Sequence, residues 1–423
     1  MWKILYNILL FPILALLFFV GSLFVKKIRD GFIGRLYSVQ ILKKFSKTIR
    51  KEDLIYWFHA ASHGEFEQIK PVLNGLKEIE PKSKIILSFF SPSGYNNVVD
   101  NYVDCKIYLP FDSYWTTKKI FSLIRPKKLI LAGYDVWPNL IWSASIQKIH
   151  TVIFAAKLSS NTSKLNPLIK NFYKSVYKDI SAFYTISNDD AVKFKSLLNK
   201  NYLPIIRVLG NPRYDQVKEK SDLMTIERTE NLLKRPKRLI LGSIHEEDKN
   251  VILDPIIKLM KDDIEISCIW APDEISDEKL EKIKLILDAN NISSEKIGEK
   301  TLDRIQSRVI FIDSIGKLSQ LYWEGQIAYV GGGFSSGVHN VMEPAIARLP
   351  VLFGSKYNNS DESIQLIKNG GGFAVKDSAD FYMRIKMLFD DSEELIKSSY
   401  SSTNVIHDNL GSSTRVVRGL IHD

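Results

Sequence analysis

The stretch whose residue types are best suited to binding or reacting with a ligand lies between Tyr329 and Gly354. Three consecutive glycines, Gly331, Gly332 and Gly333, stand near its start. The apolar residues just before the glycines predict a buried strand. Glycines let the backbone turn sharply and approach a ligand without a Cβ in the way. We expect a helix to begin near them, and N–H groups at such a strand-to-helix turn bind phosphate or carboxylate. A flexible turn without a ligand is the alternative that a lone glycine cluster leaves open.

The polar residues that follow the glycines favour a ligand. His339 and Asn340 come next, and Glu343 precedes Pro344. A histidine seen alone is more often structural than chemical, but its position after a glycine loop favours contact with a ligand. The carboxylate of Glu343 could accept hydrogen bonds from sugar hydroxyls. Together these residues predict one half of a nucleotide-binding site.

A separate carboxylate, Glu65, is the candidate general base. A strand-like run from Leu54 to Ala60 precedes an amphipathic segment from Ser62 to Ile79, which predicts a strand, a turn and a helix. Glu65 falls at the turn, on the sheet edge where the carboxyl ends of parallel strands meet a substrate. An acid that only compensates the helix dipole is the alternative that the spacing leaves open.

Other polar residues also follow predicted strands. Ser243 and the loop amides around it could hold a phosphate oxygen, and Arg213 could add a positive charge. Further candidates for contact with a substrate stand at turns in the first half of the chain: His63, Ser91, Ser93, Gly94, Asp135 and Lys157. The two serines and the glycine among them also suit a turn and a helix cap.

The elements that must position these residues alternate between strand and helix. This alternation predicts an α/β fold with doubly wound parallel sheets. A chain of 423 residues exceeds one average core, and the pattern restarts near residue 208. We therefore predict a first domain over residues 52–208 and a second over residues 209–423, facing each other across a cleft. The last helix is a candidate to cross back to the first domain.

The net charge of +10 and the pI of about 9.2 indicate an anionic partner, such as nucleic acid, an acidic lipid surface or a phosphorylated substrate. No nucleic-acid-binding motif is recognisable, and the positive charge is concentrated near the start of the chain. Cys105 and Cys268 stand far apart without metal-ligand spacing, so neither a disulfide framework nor a zinc site is predicted.

The first residues predict a membrane anchor. Ile4 to Val25 is a run of 22 uncharged residues, long enough to cross a hydrocarbon core about 30 Å thick. Lys26, Lys27 and Arg29 follow, so the positive-inside rule places the rest of the chain in the cytoplasm. We therefore predict an anchor over residues 1–25. A cleaved signal peptide is the alternative, but its apolar region would be shorter.

The next segment, residues 26–51, carries nine Lys or Arg residues against one acid, with apolar residues interleaved. Such a segment can lie on a membrane of anionic lipids, with its cations near phosphates and its apolar side in the interface. A solvated basic helix that packs on the protein is the alternative interpretation.

Seven segments in order resemble the membrane-anchored Kdo transferases, which transfer 3-deoxy-D-manno-oct-2-ulosonic acid in lipopolysaccharide synthesis. The resemblance covers essentially the whole chain. Each segment alone is a weak motif, but seven in sequence are specific. They are HAASHGE (His59 to Glu65), SPSG (Ser91 to Gly94), YDVWPN (Tyr134 to Asn139), GNPRYD (Gly210 to Asp215), GSIHEED (Gly242 to Asp248), VGGGFSSGVHNVMEPA (Val330 to Ala345) and VLFG (Val351 to Gly354).

The resemblance implies the GT-B architecture, with two Rossmann-like domains and the nucleotide sugar held by the second. It implies an inverting transfer of Kdo from CMP-Kdo to the lipid A disaccharide precursor at the cytoplasmic face of the inner membrane. By the same resemblance, Glu65 is the general base. The residues implied to hold the CMP portion are Gly331, Gly332, Gly333, His339, Asn340 and Glu343, with Ser243, His245 and Arg213 near its phosphate.

No metal cofactor is expected, because loop amides, a helix N-terminus and one or two cations can stabilise a departing nucleoside monophosphate. Three positions depart from the family pattern. Asp273 stands where many members have a basic residue, Asp135 replaces a glutamate, and Lys157 replaces an arginine and so loses a bidentate fork. The alternatives are a GT-B glycosyltransferase with a UDP-sugar donor and a non-catalytic membrane-associated relative.

Overall fold

The computed structural model describes the whole chain except residues 134, 159–161, 163, 165, 199–203, 225–230, 299 and 315. The chain forms two compact units. The first comprises Met1–Gln216 and Leu410–Asp423, and the second comprises Val217–Asn409. The division falls shortly after the predicted boundary near residue 208.

The first unit is built on a seven-stranded parallel sheet in the order β3-β2-β1-β4-β5-β6-β7. Its strands are buried apart from the edge strand β7, as expected for a parallel sheet covered on both faces. The strands are β1 (Ile55–Ala60), β2 (Lys84–Phe89), β3 (Cys105–Tyr108), β4 (Lys128–Ala132), β5 (His150–Ala156), β6 (Ala182–Thr185) and β7 (Ile205–Val208).

Helices precede this sheet and connect its strands. They are α1 (Trp2–Leu5), α2 (Phe11–Phe24), α3 (Lys26–Ser46), α4 (His63–Ile79), α5 (Pro92–Asn97), α6 (Tyr114–Ile124), α7 (Pro138–Ile146), α8 (Pro167–Tyr177) and α9 (Asn188–Leu197). The next helix, α10 (Arg213–Met224), begins in the first unit and ends in the second. The final helix, α18 (Ser412–His422), also belongs to this unit. Its Val416, Val417 and Leu420 are buried in the same apolar cluster as Tyr56 and Phe58 of β1.

The second unit is built on another seven-stranded parallel sheet, in the order β10-β11-β9-β8-β12-β13-β14. Its strands are β8 (Arg238–Ile244), β9 (Ser267–Pro272), β10 (Ser294–Lys296), β11 (Val309–Phe311), β12 (Ile327–Val330), β13 (Val351–Gly354) and β14 (Gly372–Val375). Its helices are α11 (Glu246–Asp262), α12 (Asp277–Ala289), α13 (Leu318–Leu321), α14 (Met342–Ile346), α15 (Asp361–Asn369), α16 (Ser378–Asp390) and α17 (Ser392–His407).

Each sheet has a point where the strand order reverses. In the first, β1 pairs with both β2 and β4, so the chain winds outward to β3 and then returns to the other side of β1. In the second, β8 pairs with β9 on one side and β12 on the other. Ligands of open α/β sheets bind at the carboxyl ends of the strands at such points. At the first reversal Glu65 follows β1, and at the second the three glycines follow β12.

The first 46 residues form a helical hairpin. Residues Trp2–Phe24 are one helix of 23 residues, long and apolar enough to cross a membrane, with a π-helical turn over Tyr6–Leu10. The chain bends at Val25, where φ is −116° and ψ is 116°, and α3 runs back along α2. The rings of Phe18 and Phe32 lie 5.9 Å apart, and Gly21 faces Ile28.

Polar contacts tie the start of this hairpin to the first unit. The Tyr6 hydroxyl donates to the buried carboxylate of Asp112 at 2.8 Å, and Lys3 lies 3.1 Å from Asp179. From α3, the buried Arg35 donates to the carbonyl of Phe90 at 2.6 Å. Most cations of α3 are exposed, as the predicted basic segment requires. The structure therefore describes a docked hairpin, whereas a single membrane crossing stays a prediction.

Candidate functional site

Glu65 lies in the first turn of α4, directly beyond the carboxyl end of β1. Its Oε2 atom accepts a hydrogen bond from the backbone N–H of Ala61. Its Oε1 atom faces Gly133, which follows the neighbouring strand β4. The predicted base thus lies at the point where the strand order of the first sheet reverses.

Burial raises the pKa of the Glu65 carboxyl to about 7. The hydrogen bond from Ala61 opposes this effect, and the negative charge of Asp135 adds to it. A carboxyl with a pKa near neutrality is suited to general-base catalysis, because a large fraction is deprotonated at neutral pH and the carboxylate is basic enough to take a proton. Compensation of the helix dipole alone would not require this burial.

Asp135, another predicted cleft residue, is half-buried just after β4. Burial raises the pKa of its carboxyl, and the positive charge of Lys164 opposes that shift. Lys164 is not among the residues predicted from the sequence, because nothing in the local pattern links it to Asp135. Tyr134, which precedes Asp135 in the YDVWPN segment, lies outside the described residues.

The remaining candidates of the first unit lie at turns. His63 is exposed at the start of α4, with its Nε2 atom 3.8 Å from Glu67. Lys157 follows the end of β5. The other three cluster at the start of α5, where the Ser91 hydroxyl accepts from the Gly94 N–H at 3.4 Å and lies 2.8 Å from the Ser93 hydroxyl. This geometry shows a helix cap, and a role in acceptor binding stays a prediction for all of them.

His59, a buried histidine on the strand that precedes Glu65, is not among the residues predicted from the sequence. The Nε2 atom of His59 accepts from the indole N–H of Trp137 at 3.1 Å, so its Nδ1 atom carries the proton and donates to the carbonyl of Ser88 at 3.1 Å. Burial lowers the pKa of His59 to about 3, which keeps the ring neutral. These contacts hold the indole of Trp137 beside β1.

The expectation that a helix begins near the three glycines of the second unit is wrong. A helix does not begin beside them, since α14 begins only at Met342. The N–H of Gly331 donates to the carbonyl of Gly242 at 2.8 Å, and the N–H of Gly332, whose φ is +88°, donates to the carboxylate of Asp248 at 2.7 Å. A Cβ on Gly333 would lie 2.4 Å from the backbone nitrogen of Gly354. The glycines thus allow close contact with the protein's own backbone.

Asp248 is the anion that organises this loop. It is fully buried in the first turn of α11, and it accepts from the Gly332 N–H, from the Tyr329 hydroxyl at 2.8 Å and from the His245 N–H at 3.1 Å. Its position three residues after His245 is that of the acid in a capping box. A capping-box search that allowed histidine at the N-cap would have found it in the sequence.

Three polar side chains meet above this loop. The Nε2 atoms of His245 and His339 lie 2.7 Å apart, and the carboxylate of Asp273 lies 3.5 Å from the first and 3.4 Å from the second. Both histidines are predicted donor-binding residues, whereas Asp273 is one of the departures from the family pattern. The proximity of the three residues could not be read from their distant places in the sequence.

The other predicted donor residues lie on neighbouring elements. Ser243 stands near the end of β8 with a φ of +54°, a strained conformation that is common at functional sites. The amide oxygen of Asn340 accepts from the Met342 N–H at 3.1 Å. Glu343 lines a small cavity with Trp323. Arg213 begins α10 in the first unit, so its place near the donor phosphate stays a prediction.

Comparison with known proteins identifies the relatives of this chain. A family model described as 3-deoxy-D-manno-octulosonic-acid transferase (Kdo transferase) matches residues 38–216. The 3-deoxy-D-manno-octulosonic acid transferase of Aquifex aeolicus is 27% identical over 366 residues, 84% of this chain and 92% of that protein. That of Chlamydophila psittaci is 28% identical over 349 residues, 80% of this chain and 78% of that protein.

A solved structure supports the fold. The UDP-GlcNAc 2-epimerase of Neisseria meningitidis, bound to UDP-GlcNAc, superposes with a TM-score of 0.64 over 88% of this chain and 100% of its own, at 15% identity. This likeness concerns the fold alone. With the two parallel sheets described above, it confirms the predicted GT-B architecture of two Rossmann-like domains.

Proposed function

The chain is a homologue of the Kdo transferases, and we propose that it transfers Kdo from CMP-Kdo to the lipid A disaccharide precursor of lipopolysaccharide. The observation that carries this proposal is the placement of Glu65. A buried carboxyl with a pKa of about 7 stands where the first sheet reverses, within a segment that matches the family. This placement favours catalysis over the function of a binding protein, because perturbed carboxyl groups of this kind cluster at active sites.

The reaction follows from one displacement at the anomeric carbon of Kdo. Glu65 takes the proton of an acceptor hydroxyl, and the hydroxyl oxygen attacks the anomeric carbon from the face opposite the phosphate. The bond between that carbon and the phosphate oxygen breaks, and CMP leaves with the electron pair. Attack from the opposite face inverts the configuration of the anomeric carbon.

The second unit would hold the donor. The residues proposed to surround CMP are Ser243, His245, Gly331, Gly332, Gly333, His339, Asn340 and Glu343. Since the N–H groups of Gly331 and Gly332 already have protein acceptors, they cannot be the main phosphate donors. The loop instead supports His245 and His339, which present polar ring atoms at the carboxyl ends of β8 and β12. Arg213 is proposed to add its charge to this set.

The proposed location is the cytoplasmic face of the inner membrane. The outer side of the helix over Trp2–Phe24 is apolar and exposed, and exposed cations of α3 lie next to it. Apolar side chains beside Lys and Arg suit a membrane of anionic lipids, where each cation near the surface contributes about 1 kcal/mol. The protein would thus meet its lipid acceptor at the membrane surface in which that lipid lies.

The test combines activity and binding. The purified full chain is incubated with CMP-Kdo and the lipid A precursor, and we expect mass spectrometry to detect a product heavier by one Kdo residue or more. Thermal shift with CMP, CMP-Kdo and UDP-sugars distinguishes the alternative donors. Stabilisation by uridine compounds alone would instead support a GT-B glycosyltransferase with a UDP-sugar donor.

A further inference from the structure

We propose that His245, His339 and Asp273 form a binding site for one divalent transition-metal ion. Their ligand atoms all lie within 4.8 Å of one another, and the three residues are half-buried or exposed, so an ion can reach them from solvent. This proposal differs from the expectation, drawn from the sequence, that no metal is bound. It does not rest on the proposed function, because the ion alone is the probe.

The geometry resembles that of a tetrahedral ion. With bonds of about 2.0–2.1 Å to nitrogen and oxygen, neighbouring ligand atoms of a tetrahedral zinc ion lie about 3.3 Å apart. The two nitrogen-to-carboxylate distances are 3.5 and 3.4 Å. The separation of 2.7 Å between the two Nε2 atoms must therefore open by about 0.6 Å for the ion to enter.

An ion on Nε2 of His245 requires the tautomer in which Nδ1 carries the proton. The hydroxyl of Ser335 donates to the carbonyl of Gly332 at 3.2 Å and lies 3.1 Å from Nδ1 of His245, so its oxygen can accept that proton. In this tautomer the Nε2 atom presents its lone pair to His339 and Asp273. A second partner that holds the outer nitrogen is typical of histidines that bind metals.

The ligands stand on rigid and adjacent elements. His245 follows β8, Asp273 follows β9, and His339 lies in the loop after β12, and these three strands are neighbours in the order β9-β8-β12. The N–H of Asp273 donates to the carbonyl of Ile244 at 3.1 Å, and that of His339 to the carbonyl of Gly331 at 3.1 Å. Backbone hydrogen bonds thus hold the ligands at one end of the sheet.

The donor set decides the class of ion. Two imidazoles and one carboxylate suit zinc, cobalt or nickel, whereas magnesium and calcium prefer oxygen ligands. Three protein ligands leave the fourth position open to water or to an oxygen of an anionic ligand. A hydrogen-bonded histidine pair without a metal is the competing interpretation, and the experiment must separate the two.

The test is titration of the purified, chelator-treated full chain with Co²⁺, followed by visible absorption, and with Zn²⁺, followed by calorimetry. We expect one ion per chain, and we expect excess Mg²⁺ not to displace it. His339→Gln and Asp273→Asn should each weaken binding at least tenfold, and Ser335→Ala should weaken it about 10-fold or more through the lost partner of His245.

The matched control is His407→Gln, which removes an exposed histidine at the end of α17 and should leave binding unchanged. Circular dichroism of each variant checks the fold, and the exposed Asp273 makes Asp273→Asn the variant least expected to disturb it. The proposal fails if the intact chain binds no stoichiometric ion, if binding survives in both His339→Gln and Asp273→Asn, or if Mg²⁺ displaces Co²⁺. Loss of Kdo transfer would not bear on it.

Discussion

The Oε1 atom of Glu65 lies 3.3 Å from the point where a side chain on Gly133 would begin. Gly133 has a φ of +79° and follows β4, whereas Glu65 follows the adjacent strand β1. The carboxylate therefore occupies the space that a glycine leaves open at the reversal of the strand order. A base at this position has one side against the sheet and the other toward any ligand at the strand ends.

Replacement of Glu65 by glutamine should abolish most of the activity. Glutamine keeps the size of the side chain but cannot take a proton, and general-base catalysis contributes about 10²- to 10⁴-fold to a rate. We expect kcat to fall by that factor in the Kdo transfer assay, with the melting temperature and CMP binding unchanged. Full turnover by the Glu65→Gln variant would remove Glu65 from the mechanism.

The pH dependence of kcat/KM should report the pKa of Glu65. Below pH 7 the carboxyl is protonated and cannot act as a base, so activity should rise with pH through about 7 and then level off. Asp135→Asn removes a negative charge that raises this pKa, so the rising limb should move to lower pH. The displacement should be partial, because burial is the larger cause. A limb that moves upward in Asp135→Asn would contradict this assignment.

Gly133→Ala should impair catalysis more than stability. The new methyl group would press on Glu65, and a left-handed backbone costs alanine about 1–2 kcal/mol. Gly370→Ala is the matched control, because Gly370 has a similar φ of +82° with open space where the Cβ would lie. We expect both variants to lose similar stability in denaturant, but only Gly133→Ala to lose activity, by about tenfold or more. Equal activity of the two would show that the contact with Glu65 has no catalytic effect.

Local patterns in the sequence predicted the strands that are buried on both faces. The strand-like run from Leu54 to Ala60 is β1 (Ile55–Ala60), and the amphipathic segment from Ser62 to Ile79 contains α4 (His63–Ile79). The edge strands β10 and β14 were not predicted. The three residues of β10 are Ser294, Glu295 and Lys296, so this strand has no apolar run. The four residues of β14 begin at the last of three consecutive glycines, Gly370 to Gly372, which indicate a turn and not a strand.

The candidate site was predicted less completely, because its contacts join distant parts of the chain. The glycines suggested an anion site, but the anion that their loop receives is the protein's own Asp248. The strand order of the second sheet brings together the side chains of His245, Asp273 and His339. Local periodicity in the sequence does not specify that order. Burial likewise sets the pKa of Glu65, and burial follows from the fold.

Asp248→Ala should destabilise the second unit strongly. The substitution leaves the Gly332 N–H, the Tyr329 hydroxyl and the His245 N–H without their acceptor, and each buried unsatisfied group costs about 1–3 kcal/mol. We expect the free energy of unfolding to fall by about 3 kcal/mol or more in urea denaturation. Asp254→Ala, an exposed acid on the same helix, should change it by about 0.5 kcal/mol at most. A similar small change in Asp248→Ala would mean that the loop does not depend on this carboxylate.

The start of the chain should lie on the same side of the membrane as the two domains. The contacts of Lys3 with Asp179 and of Tyr6 with Asp112 hold the first turns of the helix against the first unit. Lys3→Cys and Lys47→Cys place single accessible thiols at the two ends of the hairpin, since Cys105 and Cys268 are buried. Loss of the exposed Lys3 ion pair should cost little, as exposed pairs contribute about 0–1 kcal/mol. With a membrane-impermeant maleimide, we expect both cysteines to react in inverted vesicles and neither in right-side-out vesicles. Labelling of position 3 alone in right-side-out vesicles would instead establish the single crossing predicted from the sequence.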